Sequence, residues 1–227
     1  MAKHLDLEEQ EQLDELKHFW KTYGNLITWG LIVVFGTIAA WNGYQYWQRS
    51  QAAQAASMYD EIDRAAVSGD LTRLERAAAD IKDKYGRTTY ASQGVLLAAK
   101  VFEEHGKADL SKGALQWIVE NASDPSYVSV ARLRLAGLAM QLKAYDDALK
   151  VLEQSVPAEF EALAEDRRGD VAALQGKRDT AVTHYQKAYK LFEEQVEYRR
   201  LVEIKLNSLG AEPVKASAAN DGKGARL

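Results

Sequence analysis

Between Lys21 and Arg49 the chain carries no charged side chain. A helix needs about 20 mostly apolar residues to cross the hydrocarbon core of a bilayer. The segment TYGNLITWGLIVVFGTIAAWNGYQYWQ, residues 22–48, meets that length. Its apolar heart runs from Leu26 to Trp41 and continues through Gly43 and Tyr44 to Trp47. Trp20, Tyr23 and Trp29 gather at one end, and Trp41, Tyr44, Tyr46 and Trp47 at the other. Trp and Tyr settle at the headgroup level, where the ring is half buried and its polar tip stays wet. Two aromatic belts around an uncharged centre predict one transmembrane helix.

Two other readings fit less well. A cleaved signal peptide has a basic start, a short apolar core and small residues at its cleavage site. This start is acidic (Asp6, Glu8, Glu9, Glu11, Asp14, Glu15), and bulky Tyr44, Tyr46, Trp47 and then Arg49 follow the apolar core. A buried core helix seldom runs this long without a charge. Orientation is set by Lys and Arg in the short flanks. Lys3, Lys17 and Lys21 precede the span, and Arg49 and Arg64 follow it. That slight bias favours a cytoplasmic N-terminus, with the larger part on the outer face. Gly36, Ala40 and Gly43 share one face of the span, where a second helix could approach closely; general glycine enrichment in membrane helices accounts for the same residues.

Beyond the span the pattern is helical. The chain has 227 residues and only three prolines: Pro125, Pro157 and Pro213. Turn signals recur at Ser68-Gly69-Asp70, Tyr85-Gly86, His105-Gly106-Lys107, Asn121 to Pro125, Lys143-Ala144, Val156-Pro157 and Gln175-Gly176-Lys177. Glycine past a helix end, and Asp or Ser before a new start, are the punctuation expected of helix pairs.

The segment from Ala131 to Pro157 repeats from Ala164 to Lys190 when Ala148 is set over Ala181. The separation is near that of tetratricopeptide repeats. A looser copy runs from Tyr90 to Trp117, with Ala114 at the alanine place. In such a repeat Ala114, Ala148 and Ala181 would sit where two helices cross, with Trp117, Leu152 and Tyr185 filling space one turn later. One helix pair cannot bury its faces alone, so about three must stack. An alanine-rich bundle with fortuitous spacing is the alternative. The expected fold class is all-α: one N-terminal transmembrane helix, then a tetratricopeptide-like solenoid. The expected organisation is an acidic N-terminal segment (residues 1–21), the span (22–48), the repeat domain (49–209) and a disordered polar tail (210–227).

Chemistry is sparse. Net charge is −4 with no dense Lys/Arg run, which sets nucleic acid aside. Cysteine is absent, which excludes disulfides, thiol catalysis and thiolate metal sites. His4, His18, His105 and His184 are scattered, without metal-ligand spacing. No phosphate loop or nucleophile elbow is present. Asp166-Arg167-Arg168-Gly169-Asp170 reads as a solvated, ion-paired helix face rather than an anion site. No catalytic residue, metal or cofactor is implied.

The span ending in YQYWQ, with YASQGVLLAAKVF, ARLRLAGLAMQLKAYDDALKVLE and DRRGDVAALQGKRDTAV behind it, resembles the YfgM family, the ancillary subunit of the bacterial SecYEG translocon. The likeness runs to about Leu209. It implies an inner-membrane protein with a cytoplasmic N-terminus and a periplasmic repeat domain. It implies association with SecYEG and with a PpiD-type periplasmic chaperone. A non-enzymatic role in passing newly translocated, unfolded proteins to chaperones is implied too. The alternatives are a membrane-anchored assembly scaffold for envelope or cell-division complexes, and a tethered enzyme whose site is not visible in sequence.

Overall fold

A computed structural model describes residues 7–214, and all regular structure among them is helical. The first helix, α1, runs unbroken from Leu7 to Ser68. The chain divides into two compact units between Gln51 and Ala52, so α1 contributes to both.

In the first unit α1 is long and apolar enough to cross a membrane, with a mean hydropathy of 1.6 over its most apolar 18 residues. Its large side chains point outward: Leu26 is 74% exposed, and Val33, Phe35 and Trp41 are similarly bare. A free apolar surface of this kind needs a lipid or protein environment. The hydroxyls of Thr28 and Thr37 donate to the carbonyls of Gly24 and Val33, each at 2.7 Å. Both polar groups are thereby satisfied within the helix, as a hydrocarbon surrounding demands.

The second unit is built from the end of α1 and eight further helices: α2 (Leu71–Tyr85), α3 (Thr89–Glu104), α4 (Ala108–Asn121), α5 (Pro125–Gln141), α6 (Tyr145–Leu152), α7 (Ala158–Leu174), α8 (Arg178–Leu191) and α9 (Glu197–Ser208). Each packs against the next, and the odd-numbered helices α3, α5 and α7 also touch in series. Side chains start the helices locally. Asp70 accepts from the N–H of Arg73, Thr88 from that of Ala91 and Asp124 from that of Ser126. Each satisfies a donor that the first turn leaves free.

One turn recurs through the unit. At Gly69, Gly106, Lys143 and Gly176 the backbone has positive φ, between 59° and 73°. Each of these N–H groups donates to the carbonyl three residues back, and the following N–H to the carbonyl five residues before itself. This is the Schellman ending, and glycine suits it because it has no Cβ to clash. Lys143 is the exception, the one non-glycine residue at positive φ among the described residues. Lys143→Gly is expected to raise stability by about 0.5–1 kcal/mol, relief of left-handed strain outweighing the added freedom of the unfolded chain. Thermal denaturation checks it; no gain would mean that the lysine conformation carries no strain.

The turns fix a register that alanine matching does not. Five residues past each turn stand Leu74, Ser111, Ala148 and Ala181, all fully buried. Nine past stand Ala78, Leu115, Leu152 and Tyr185, all nearly so. The place given to Ala114 therefore belongs to Ser111, and that of Trp117 to Leu115. Ala114 is buried one turn further along α4. Trp117 is half-buried and lies against Gly86. The buried side chain that is alanine in the third and fourth repeats is serine in this one, which is why an alanine search slides by three residues.

A fifth turn of the same kind follows α9, with Gly210 at φ 68° and the same two hydrogen bonds, to Asn207 and Leu206. Helix α9 therefore stands in the array as the first helix of a repeat does. Val202 and Leu206 bury it against Ala181, Tyr185 and Ala188. At the matching places before the turn α9 carries Arg200, Glu203 and Asn207, where α5 has Leu133, Ala136 and Met140. A polar outer face is what closes a repeat array. Past Gly210, Ala211 packs on the same cluster, and the Glu212 carbonyl accepts from Gln186 Nε2 at 3.3 Å. The remainder of the expected tail, like the first six residues, lies outside the described residues.

Candidate binding groove and its ionic support

The first helices of successive repeats present one face in common. Ten residues before their turns lie Tyr59, Leu96, Leu133 and Asp166. Across the first three repeats this face forms an open groove of about 420 Å³, lined by Tyr59, Gln93, Leu96, Leu97, Lys100 and Arg134. Its lining is mixed, with Tyr59, Leu96 and Leu97 beside Gln93, Lys100 and Arg134, and its polar groups are held in place. Gln93 Nε2 donates to the Tyr127 hydroxyl at 2.7 Å. Arg134 donates from one Nη to the Leu96 carbonyl at 3.0 Å, which ties α5 to α3. Lys100 pairs with Glu104 at 3.6 Å, both largely exposed. The groove holds no nucleophile beside a base. Shape, apolar contact and two cations are what it offers a ligand.

In the fourth repeat the same face is closed by ionic contacts. Asp166 is fully buried. Its carboxylate accepts from Lys205 Nζ through both oxygens at 2.8 Å and from the Tyr198 hydroxyl at 2.8 Å. Lys205 also reaches Asp170 at 2.6 Å, and the Tyr185 hydroxyl donates to Asp170 at 2.8 Å. Lys205 stands over the Tyr185 ring, 5.4 Å from its centre. The preceding residue, Glu165, also buried, accepts from Lys187 and Arg168 and pairs with His184 Nδ1 at 2.7 Å. Arg168 donates as well to the Leu152 carbonyl at the end of α6. The charged run in α7 is thus not a solvated face. It is ion-paired as expected, but largely inside, because α8 and α9 cover it.

These surroundings move the proton affinities apart. Burial and the charge of Asp170 push the Asp166 carboxyl up, against the pull of Lys205. Burial also pushes Glu165 up, but hydrogen bonds from His184 and Lys187 and the charge of Arg168 outweigh it, leaving it below the usual range. Burial and the hydrogen bonds to Asp170 and Asp166 drive the Tyr185 and Tyr198 hydroxyls far above theirs. The network is a clasp joining α7, α8 and α9. Among the described residues no group of three His, Asp or Glu could hold a metal ion.

The residues singled out in sequence fall in different places. Ala114, Ala148, Leu152, Ala181 and Tyr185 are all buried between helices. In the first unit Gly36 and Gly43 have open space where a side chain would begin. Sequence reading missed the groove residues Tyr59, Gln93, Leu97 and Arg134, and the clasp residues Tyr198 and Lys205. The in-phase Gly210 was the available signal for α9.

Residues 17–211 match the family described as tetratricopeptide repeat-like domain. Similar proteins carry the name ancillary SecYEG translocon subunit. The one from Neisseria gonorrhoeae is 30% identical over 92% of this chain and 100% of its own length. That from Haemophilus influenzae is 27% identical over 89% of this chain and 98% of its own. That from Escherichia coli is 26% identical over 80% and 87%.

Proposed function

Since the chain belongs to the family of the ancillary SecYEG translocon subunits, we propose that it is a non-enzymatic inner-membrane scaffold attached to that translocon. In this reading α1 anchors the protein, the N-terminus is cytoplasmic and the repeat unit is periplasmic. The repeat unit receives segments of newly translocated, unfolded proteins and passes them to a PpiD-type periplasmic chaperone. The observation that carries the reading is the open groove of mixed apolar and cationic lining on a helical-repeat unit whose first helix also holds the membrane-length apolar segment. The Lys and Arg bias around the span supports the orientation.

Affinity purification of the full chain from gently solubilised membranes tests it. The expected result is recovery of the translocon subunits together with a periplasmic chaperone. Recovery of neither, with the tagged chain intact, would overturn the reading. Protease protection in spheroplasts checks orientation: the repeat unit should be cleaved from outside.

A further inference from the structure

The groove holds a guanidinium without a carboxylate. Arg134 is half-buried, lines the groove, and spends one N–H on the Leu96 carbonyl. Among the described residues no Asp or Glu lies within ion-pair distance of it. The half-buried cations on α7 and α9 each meet a carboxylate: Arg167 with Asp170, Arg168 with Glu165, Lys205 with Asp166 and Arg199 with Glu194. Arg132 on α5 lacks one too, but it does not line the groove and both its Nη groups are spent on the Ser155 carbonyl and the Gln154 side chain. Taking a charge partly out of water is costly unless an anion meets it. Guanidinium suits a carboxylate, because its planar donors match two oxygens at once. Beside Arg134 the groove offers Tyr59, Leu96 and Leu97, and Lys100 adds a second cation held only by the exposed Glu104.

We propose that this groove takes an extended polypeptide segment carrying an acidic side chain flanked by large apolar residues, with the carboxylate on Arg134. The layout of the surface fits that occupant. The Arg134 guanidinium reaches across from α5 to the Leu96 carbonyl of α3 at 3.0 Å. A carboxylate seated on it therefore places the residues that flank the acid beside Leu96, Leu97 and Tyr59. The inference rests on the scaffold reading and gives that groove its ligand class.

The test uses the full chain in detergent micelles and fluorescent nine-residue peptides, acetylated and amidated so that they carry no terminal charge. One has a central Asp between Leu and Phe; its twin has Asn; a third keeps Asp but replaces the apolar residues with Ser. The Asp–apolar peptide is expected to bind about tenfold more tightly than either twin, the size of one charge-assisted hydrogen bond in a partly wet site. Lys100→Glu, on an exposed side chain, is expected to erase most of that preference, and Arg134→Gln all of it. Equal binding of the Asp and Asn peptides by the unmodified chain would overturn the proposal without any variant having to fold. Equal binding of the Ser peptide would overturn its apolar half. Recovery of the translocon alongside either failure would leave the scaffold reading standing and remove only this ligand.

Discussion

Lys205→Met is expected to cost the repeat unit about 3–5 kcal/mol, a fall of roughly 6–20 °C in the thermal midpoint. Methionine keeps most of the side-chain volume and removes only the charge and its donors. What remains is Asp166 with no exposure and Asp170 beside it, two carboxylates facing each other without their cation. Breaking a buried pair by removing one partner is far worse than removing both. The double variant Asp166→Asn with Lys205→Met is therefore expected to recover part of the loss. Thermal unfolding followed by circular dichroism reads both. A loss below about 1 kcal/mol in the single variant would show that solvent reaches the clasp and screens it.

The pH dependence of these variants follows from the directions of the shifts. The Asp166 carboxyl is held above its unfolded value, so its contribution is most favourable at low pH and is lost as pH rises through the folded pKa. Removing Lys205 takes away its main opposing pull, so the Lys205→Met deficit should be largest at neutral pH and shrink on acidification. Glu165 behaves in the opposite sense. Its folded pKa is lowered, so its stabilisation is present above the usual carboxylate range and lost as pH falls through the folded value. Acid weakening of the native clasp should therefore arise at Glu165.

The sequence carried some of this architecture openly and hid the rest for identifiable reasons. A membrane-length stretch without charge leaves a trace in composition alone. The turns at Gly69, Gly106 and Gly176 are readable because a left-handed ending selects glycine. Lys143 breaks that rule, and only the neighbouring period marks it as a turn. Ser111 hides because the position is fixed by burial rather than by alanine: leucine, serine and alanine all fill it. The charged run in α7 reads as solvated because burial depends on what packs over it. Tyr198 and Lys205 arrive 32 and 39 residues after Asp166. No periodicity within α7 foretells them. The groove is hidden likewise, since its lining comes from three separate helices.

Gly169 and Tyr185 supply the second large effect. Seven residues before its turn, the first helix of each interior repeat has a small residue: Ala99, Ala136, then Gly169. Opposite, nine residues past the turn, stand Leu115, Leu152 and Tyr185. The fourth repeat has exchanged an alanine–leucine pair for glycine–tyrosine. The larger ring occupies the space of the missing methyl. A Cβ on Gly169 would lie 2.5 Å from the Tyr185 ring, inside any real contact. The tyrosine is there for its hydroxyl, which donates to Asp170 and ties α8 into the clasp. Gly169→Ala is therefore expected to cost about 2–3 kcal/mol by overpacking, even though alanine is the better helix former. Tyr185→Leu alone should cost a similar amount, through a cavity and a lost hydrogen bond. The double variant restores the pair found in the third repeat, and its cost should fall below the sum of the singles by at least about 1 kcal/mol. Strict additivity in that cycle would mean that the backbone of α7 moves away from the new methyl, so that glycine and ring are not matched to each other.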